Sequence, residues 1–187
     1  MSDRLFTGLP SYGCRSTASQ DGYEIHLSWK YDISHGAPWD EEDGHGPVSD
    51  WRHHNYMGYP DKRPGERVLC TDRRSSRLYD FEGACRIARR DGWGVADGHT
   101  YPTRRSLAAA AVEADFKRLE AWAAQDWYYI GIIVETYKEG VELGSASLWG
   151  IESDDTAHHL EVIDDLIEEA GDLAKQTLAR LCECVPA

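Results

Sequence analysis

Four histidines and a run of carboxylates fall within one twenty-residue stretch, His35-Gly-Ala-Pro-Trp-Asp-Glu-Glu-Asp-Gly-His-Gly-Pro-Val-Ser-Asp-Trp-Arg-His-His. Neutral imidazole and carboxylate are the ligands of zinc and related divalent ions. His35, His45, His53 and His54, with Asp40, Asp43 and Asp50 beside them, therefore form a ligand pool for a metal-dependent hydrolase or nuclease. The spacing fits no recognised site. HExxH is absent, and Asp40-Glu41-Glu42-Asp43-Gly44 lacks the alternating acids of a calcium loop. The plainer reading is a surface loop whose tryptophans and prolines pack while its charges face water. Phosphate-cradling GxGxxG and GxxxxGK[ST], the GxSxG elbow and nucleophile triads are all missing, so the sequence assigns no catalytic residue and no cofactor.

A second constellation lies near the C-terminus. At 100° per residue, Glu161, Asp164, Asp165, Glu168, Glu169 and Asp172 fall on one side of a helix, and Leu160, Ile163, Leu166, Ile167, Ala170, Leu173 and Ala174 on the other. One face is core and the other is carboxylate. Like charges four residues apart cost some tenths of a kcal/mol per pair, and no lysine or arginine lies between Glu152 and Asp172 to relieve them. The bland interpretation is a solvated face. The functional one is a surface that stands in for a phosphate backbone and docks into a basic groove, with Asp40, Glu41, Glu42 and Asp43 as a second acidic patch.

Charge is segregated along the 187 residues, which sum to −13. Residues 32–61 hold seven acids and one arginine, residues 62–90 nine basic residues and four acids, and residues 152–172 nine acids alone. The basic stretch includes Arg73, Arg74, Arg77, Arg86, Arg89 and Arg90, followed by Arg104 and Arg105, with Trp93 and Tyr101 near enough to stack on bases. The net charge opposes direct nucleic-acid contact, and an acidic face of the same chain, or of a second copy in a homodimer, is an equally good partner for these arginines. Five cysteines without a CxxC pair argue for reduced thiols. No apolar run approaches the roughly 20 residues of a membrane span and no signal-peptide pattern opens the chain, so a cytoplasmic protein is expected.

These groups must be carried by ordinary elements. Tyr23, Ile25, Leu27 and Trp29 alternate with polar residues behind Asp21-Gly22, which predicts a strand, paired with the segment before it. Residues 34–65 are too broken for regular structure. Two short strands, 66–71 and 76–79, precede a helix from Asp80, a natural N-cap, to Gly92. A longer helix spans 103–125, a second hairpin 127–151 turns at Lys138-Glu139-Gly140, and the acid-faced helix runs over 155–182. Hairpins with helices between and after them predict a single α+β domain, an antiparallel sheet of five to six strands covered by three helices.

The segments HGAPWDEEDGHGPVSDW from His35, KRPGERVL from Lys62 and SLWGIES from Ser147 resemble a family of small acidic phage and prophage proteins of uncharacterised role. The resemblance transfers no site residue. What it implies is a phage setting in a bacterial host, where acidic inhibitors of CRISPR or restriction systems that mimic DNA provide a class analogy. On that analogy the chain is a non-enzymatic inhibitor of a host nucleic-acid-handling protein. A homo-oligomeric assembly protein is a third possibility beside the metal-dependent enzyme.

Overall fold

The computed structural model describes residues 4–41, 44–94 and 103–183. In chain order the elements are β1 (Ser16–Gln20), β2 (Tyr23–Tyr31), α1 (Pro38–Glu41), β3 (Arg52–His53), β4 (Glu66–Thr71), β5 (Ser75–Asp80), α2 (Phe81–Asp91), α3 (Arg104–Ala123), β6 (Tyr129–Lys138), β7 (Val141–Glu152) and α4 (Thr156–Glu183). The fold is α+β. Two compact units make it up, one from residues 1–35 and 128–187, the other from 36–127.

The first unit is an antiparallel sheet in the order β1-β2-β6-β7 with α4 on one face. Both hairpin turns use positive φ, at Asp21-Gly22 and at Glu139-Gly140, the backbone that matches strand twist. Ile25 and Leu27 of β2, Ile130, Ile132 and Val134 of β6, and Ala146 and Ile151 of β7 meet Val162, Ile163, Leu166 and Ala170 of α4, with Phe6 completing this core. Helix and sheet backbones come close at Gly144, where a Cβ would collide with the Ala170 carbonyl oxygen and the Ala174 nitrogen. Only hydrogen fits there.

The second unit has a three-stranded antiparallel sheet, β3-β5-β4, with α2 and α3 supplying Ala84, Ala88, Ala108, Val112, Phe116 and Leu119 against Leu69 and Tyr79. Asp80 caps α2 by accepting from Gly83 N at 2.8 Å, and Gly92 ends it in the left-handed conformation. Thr103 and Ser106 form the reciprocal capping pair of α3.

Among the described residues, seven strands in two sheets replace the expected single sheet of five to six, and there are four helices where three are expected. The physical reason is that each sheet has its own helical cover. β4 and β5 pair with β3 under α2 and α3, and do not extend the sheet under α4. The 34–65 stretch, read as irregular, contributes α1 and β3. Trp39 packs edge-on against Trp122 at 5.1 Å, whereas Trp51 remains half exposed and Tyr56 and Tyr59 point to solvent.

Candidate functional site

α4 exists because its apolar stripe is wide enough to cover β6 and β7, and its opposite side is consequently left to water. Glu161, Asp165, Glu168, Glu169 and Asp172 are exposed and Asp164 half-buried. The six carboxylates expected on one face are on one face. Two are compensated: Arg4 Nε lies 3.0 Å from Asp164, and Lys175 Nζ 2.9 Å from Asp172. Glu161 has His158 Nδ1 at 3.9 Å. Asp165, Glu168 and Glu169 make no ion pair among the described residues. The Arg4 contact joins residues 160 positions apart in sequence, and no local pattern signals it.

Asp40 and Glu41 are exposed on the single turn α1 in the second unit. Glu42 and Asp43 lie outside the described residues.

The four loop histidines go to four different partners. His35 stacks on Tyr129 with ring centres 3.9 Å apart, and its backbone N–H donates to Asp32 Oδ1. His53 Nδ1 meets Ser75 Oγ at 3.2 Å and His54 Nε2 meets Ser76 Oγ at 3.0 Å. His45 Nδ1 lies 2.6 Å from Asp115 Oδ1. Among the described residues no three His, Cys, Asp or Glu side chains converge as a metal site.

The His45 contact opens onto a polar network that the sequence reading passed over. Asp115 Oδ2 accepts from the Tyr79 hydroxyl at 2.5 Å and from Gly46 N–H at 2.8 Å. Tyr79 is fully buried. Burial and the adjoining carboxylate drive the phenol far above its ordinary pKa, so it stays a donor. Gly46 is glycine by necessity, since a Cβ would strike the Tyr79 hydroxyl and Ala84. The available signal was Asp115 itself, an acid at helical spacing within the apolar series Ala108, Val112, Phe116 and Leu119. The network fastens the loop at 44–48 to α3 and β5.

The arginines are partly spent within the second unit. Arg67 stacks over Phe81 at 3.6 Å and binds Glu113 at 2.6 Å, Arg77 lies 5.5 Å from Trp39 and 5.6 Å from Trp51, and Arg90 pairs with Asp91 at 2.6 Å. Arg52, on β3, holds Glu66 through two parallel bonds of 2.7 and 3.0 Å, which lowers the carboxyl below its usual range. Arg73 and Arg74 are exposed; Tyr101 is outside the described residues. Cys14, Cys70, Cys85 and Cys182 are free, and burial raises the thiol pKa of Cys70 and Cys85.

Comparison with known protein families, curated proteins and solved structures finds no match. No described helix is long and apolar enough to cross a membrane.

Proposed function

We propose that the protein is a non-enzymatic inhibitor or accessory factor that fills the basic nucleic-acid-binding groove of a host protein, with α4 standing where a sugar-phosphate backbone would lie. The observation that carries this reading is the one-sided carboxylate face of α4, of whose six acids Asp165, Glu168 and Glu169 make no ion pair among the described residues. From Glu161 to Asp172 six carboxylates span about 16 Å of helix, one per roughly 3 Å. Duplex DNA presents one charge per about 1.7 Å and a single strand one per about 3.4 Å. Counting Arg4 and Lys175 against two of the six leaves one charge per roughly 4 Å, so the stripe is closer to a single strand than to a duplex. In the phage setting that the resemblance implies, such a factor would act as an inhibitor of host defence.

The test is capture from a bacterial lysate on immobilised protein, with elution by a single-stranded oligonucleotide. The reading requires a basic nucleic-acid-binding protein that the oligonucleotide displaces. It also requires that E161K/D165K/E169K, folded by circular dichroism, capture none of it. Equal capture by the triple variant at moderate salt refutes the proposal.

A further inference from the structure

The acidic face of α4 borders a groove of about 720 Å³ in the first unit. Its floor includes Ile25 of β2, Thr136 of β6, and Ile167 and Gly171 of α4. Two of these floor residues are poor choices for stability alone. Glycine weakens a helix interior, yet a Cβ on Gly171 would meet nothing within 4 Å, so packing does not demand glycine. Thr136 is 1% exposed and its Oγ1 has no hydrogen-bond partner among the described residues. A buried hydroxyl left unpaired carries a desolvation cost that valine, of nearly the same shape, would avoid.

The rim supplies the complementary clue. It carries Asp21 of the β1–β2 turn, Asp164, Glu168, Asp172 and Lys175 of α4, and Arg4 of the N-terminal segment. Four carboxylates thus face two cations. Arg4 is occupied by Asp164 and Lys175 by Asp172, with Asp21 close enough to act on Lys175 as well. Glu168 has no counter-ion among the described residues. An apolar floor with one unspent hydroxyl, under a rim of net negative charge, fits a ligand with an aliphatic body and a cationic end.

We propose that this groove receives an alkylammonium group, the side chain of a lysine on the protein that α4 docks against. The methylene stem lies along Ile25 and Ile167 in the space over Gly171, and the ammonium donates to the rim carboxylates and to Thr136 Oγ1. Lysine suits the site because its stem buries on apolar surface while its compact head donates in three directions. The inference rests on the docking role of α4 and names a contact within it.

The test uses n-butylammonium as probe, with n-butanol as the neutral control, in NMR titrations of the isotopically labelled full chain. Saturable amide shifts at Tyr23, Thr136 and Gly171 are expected with the cation and absent with the alcohol. G171L should abolish them by filling the groove with a good helix former. T136V should weaken binding about threefold or more, the loss of roughly one hydrogen bond, while raising the melting temperature. An equal response to butanol, shifts spread evenly over the α4 acids, or a G171L variant that still responds would overturn the proposal. Glu161, Asp165 and Glu169 do not line the groove, so loss of lysate capture in their triple variant fails or succeeds independently of the butylammonium result.

Discussion

Replacing Asp115 by alanine removes the acceptor around which the polar interior of the second unit is organised. Its two oxygens take donors from Tyr79, Gly46 and His45 at 2.5, 2.8 and 2.6 Å. Tyr79 and Gly46 are both buried, so water does not replace the lost acceptor. Each stranded buried donor costs about 1 to 3 kcal/mol, partly offset by no longer holding a charge in a poorly solvated place; D115A should therefore cost about 3 to 5 kcal/mol. Y79F deletes one donor and leaves the carboxylate two, a loss of about 1.5 to 3 kcal/mol. Because both changes delete the same bond, the double variant should fall short of the sum by about 1 to 2 kcal/mol. Urea unfolding of the four proteins measures all three quantities. The phenol adds an alkaline signature. Its folded pKa is raised far above the value near 10 of an unfolded tyrosine, so stability held below about pH 10 drains away as pH rises beyond it, and Y79F should flatten that slope. A D115A cost below about 1 kcal/mol, or strict additivity with Y79F, refutes the account of Asp115 as the organising acceptor.

Gly144→Ala should destabilise by about 1 to 3 kcal/mol, because the new methyl meets α4 backbone that cannot step aside; the measure is the urea midpoint of the first unit's transition. Asp165→Lys turns two repulsive contacts, with Glu161 and Glu169 one helical turn away, into attractive ones, and should raise stability by about 1 kcal/mol in a thermal melt at low salt, an increment that shrinks as salt is added. Toward acid, Asp32 is lowered first by its bond from the Ser34 hydroxyl and Glu66 first by its bond from Arg52. Both groups have folded values below their unfolded ones, so the stability they confer is present above about pH 4 and is lost as pH falls through the folded values. The urea midpoint should drop between pH 5 and pH 3, and Glu66→Gln should flatten part of that drop.

Local rules carried much of the architecture. The helix from Phe81 to Asp91 is marked by its caps, Asp80 and Gly92, each acting through its own neighbours in the chain. The alternation of Tyr23 to Trp29 and the Glu139-Gly140 turn likewise report on residues in contact with themselves. The α4 stripe was legible because helical period alone separates Ile163 from Glu161. Strand partnership was not. β4 and β5 have the same half-buried look whichever sheet they join, and the two-residue β3 has no pattern long enough to register. The Tyr79–Asp115 bond spans 36 residues and the Arg4–Asp164 pair 160, so neither leaves a spacing to read. Trp39 and Trp51 have similar sequence surroundings, and it is the tertiary placement of Trp122 and the second unit's core that packs one ring and leaves the other half exposed.

The first unit is written in two pieces. β2 and β6 lie side by side, with Tyr31 opposite Ile130 and Asp32 N–H donating to the Tyr129 carbonyl at 2.9 Å, yet residues 36–127 intervene in the chain. At a ribosomal pace of about 5 to 20 residues per second, β2 emerges some 5 to 20 s before the strand it must pair with exists. Through that interval the β1–β2 hairpin has no sheet to join, and isolated hairpins are marginal in water. Residues 36–127, by contrast, contain their own sheet, helices and core, complete before β6 leaves the ribosome. The order of folding therefore runs from the inside of the chain outward: the inserted unit can close first, the flanking strands meet afterwards, and the carboxylates of α4 are set in place only once that sheet exists.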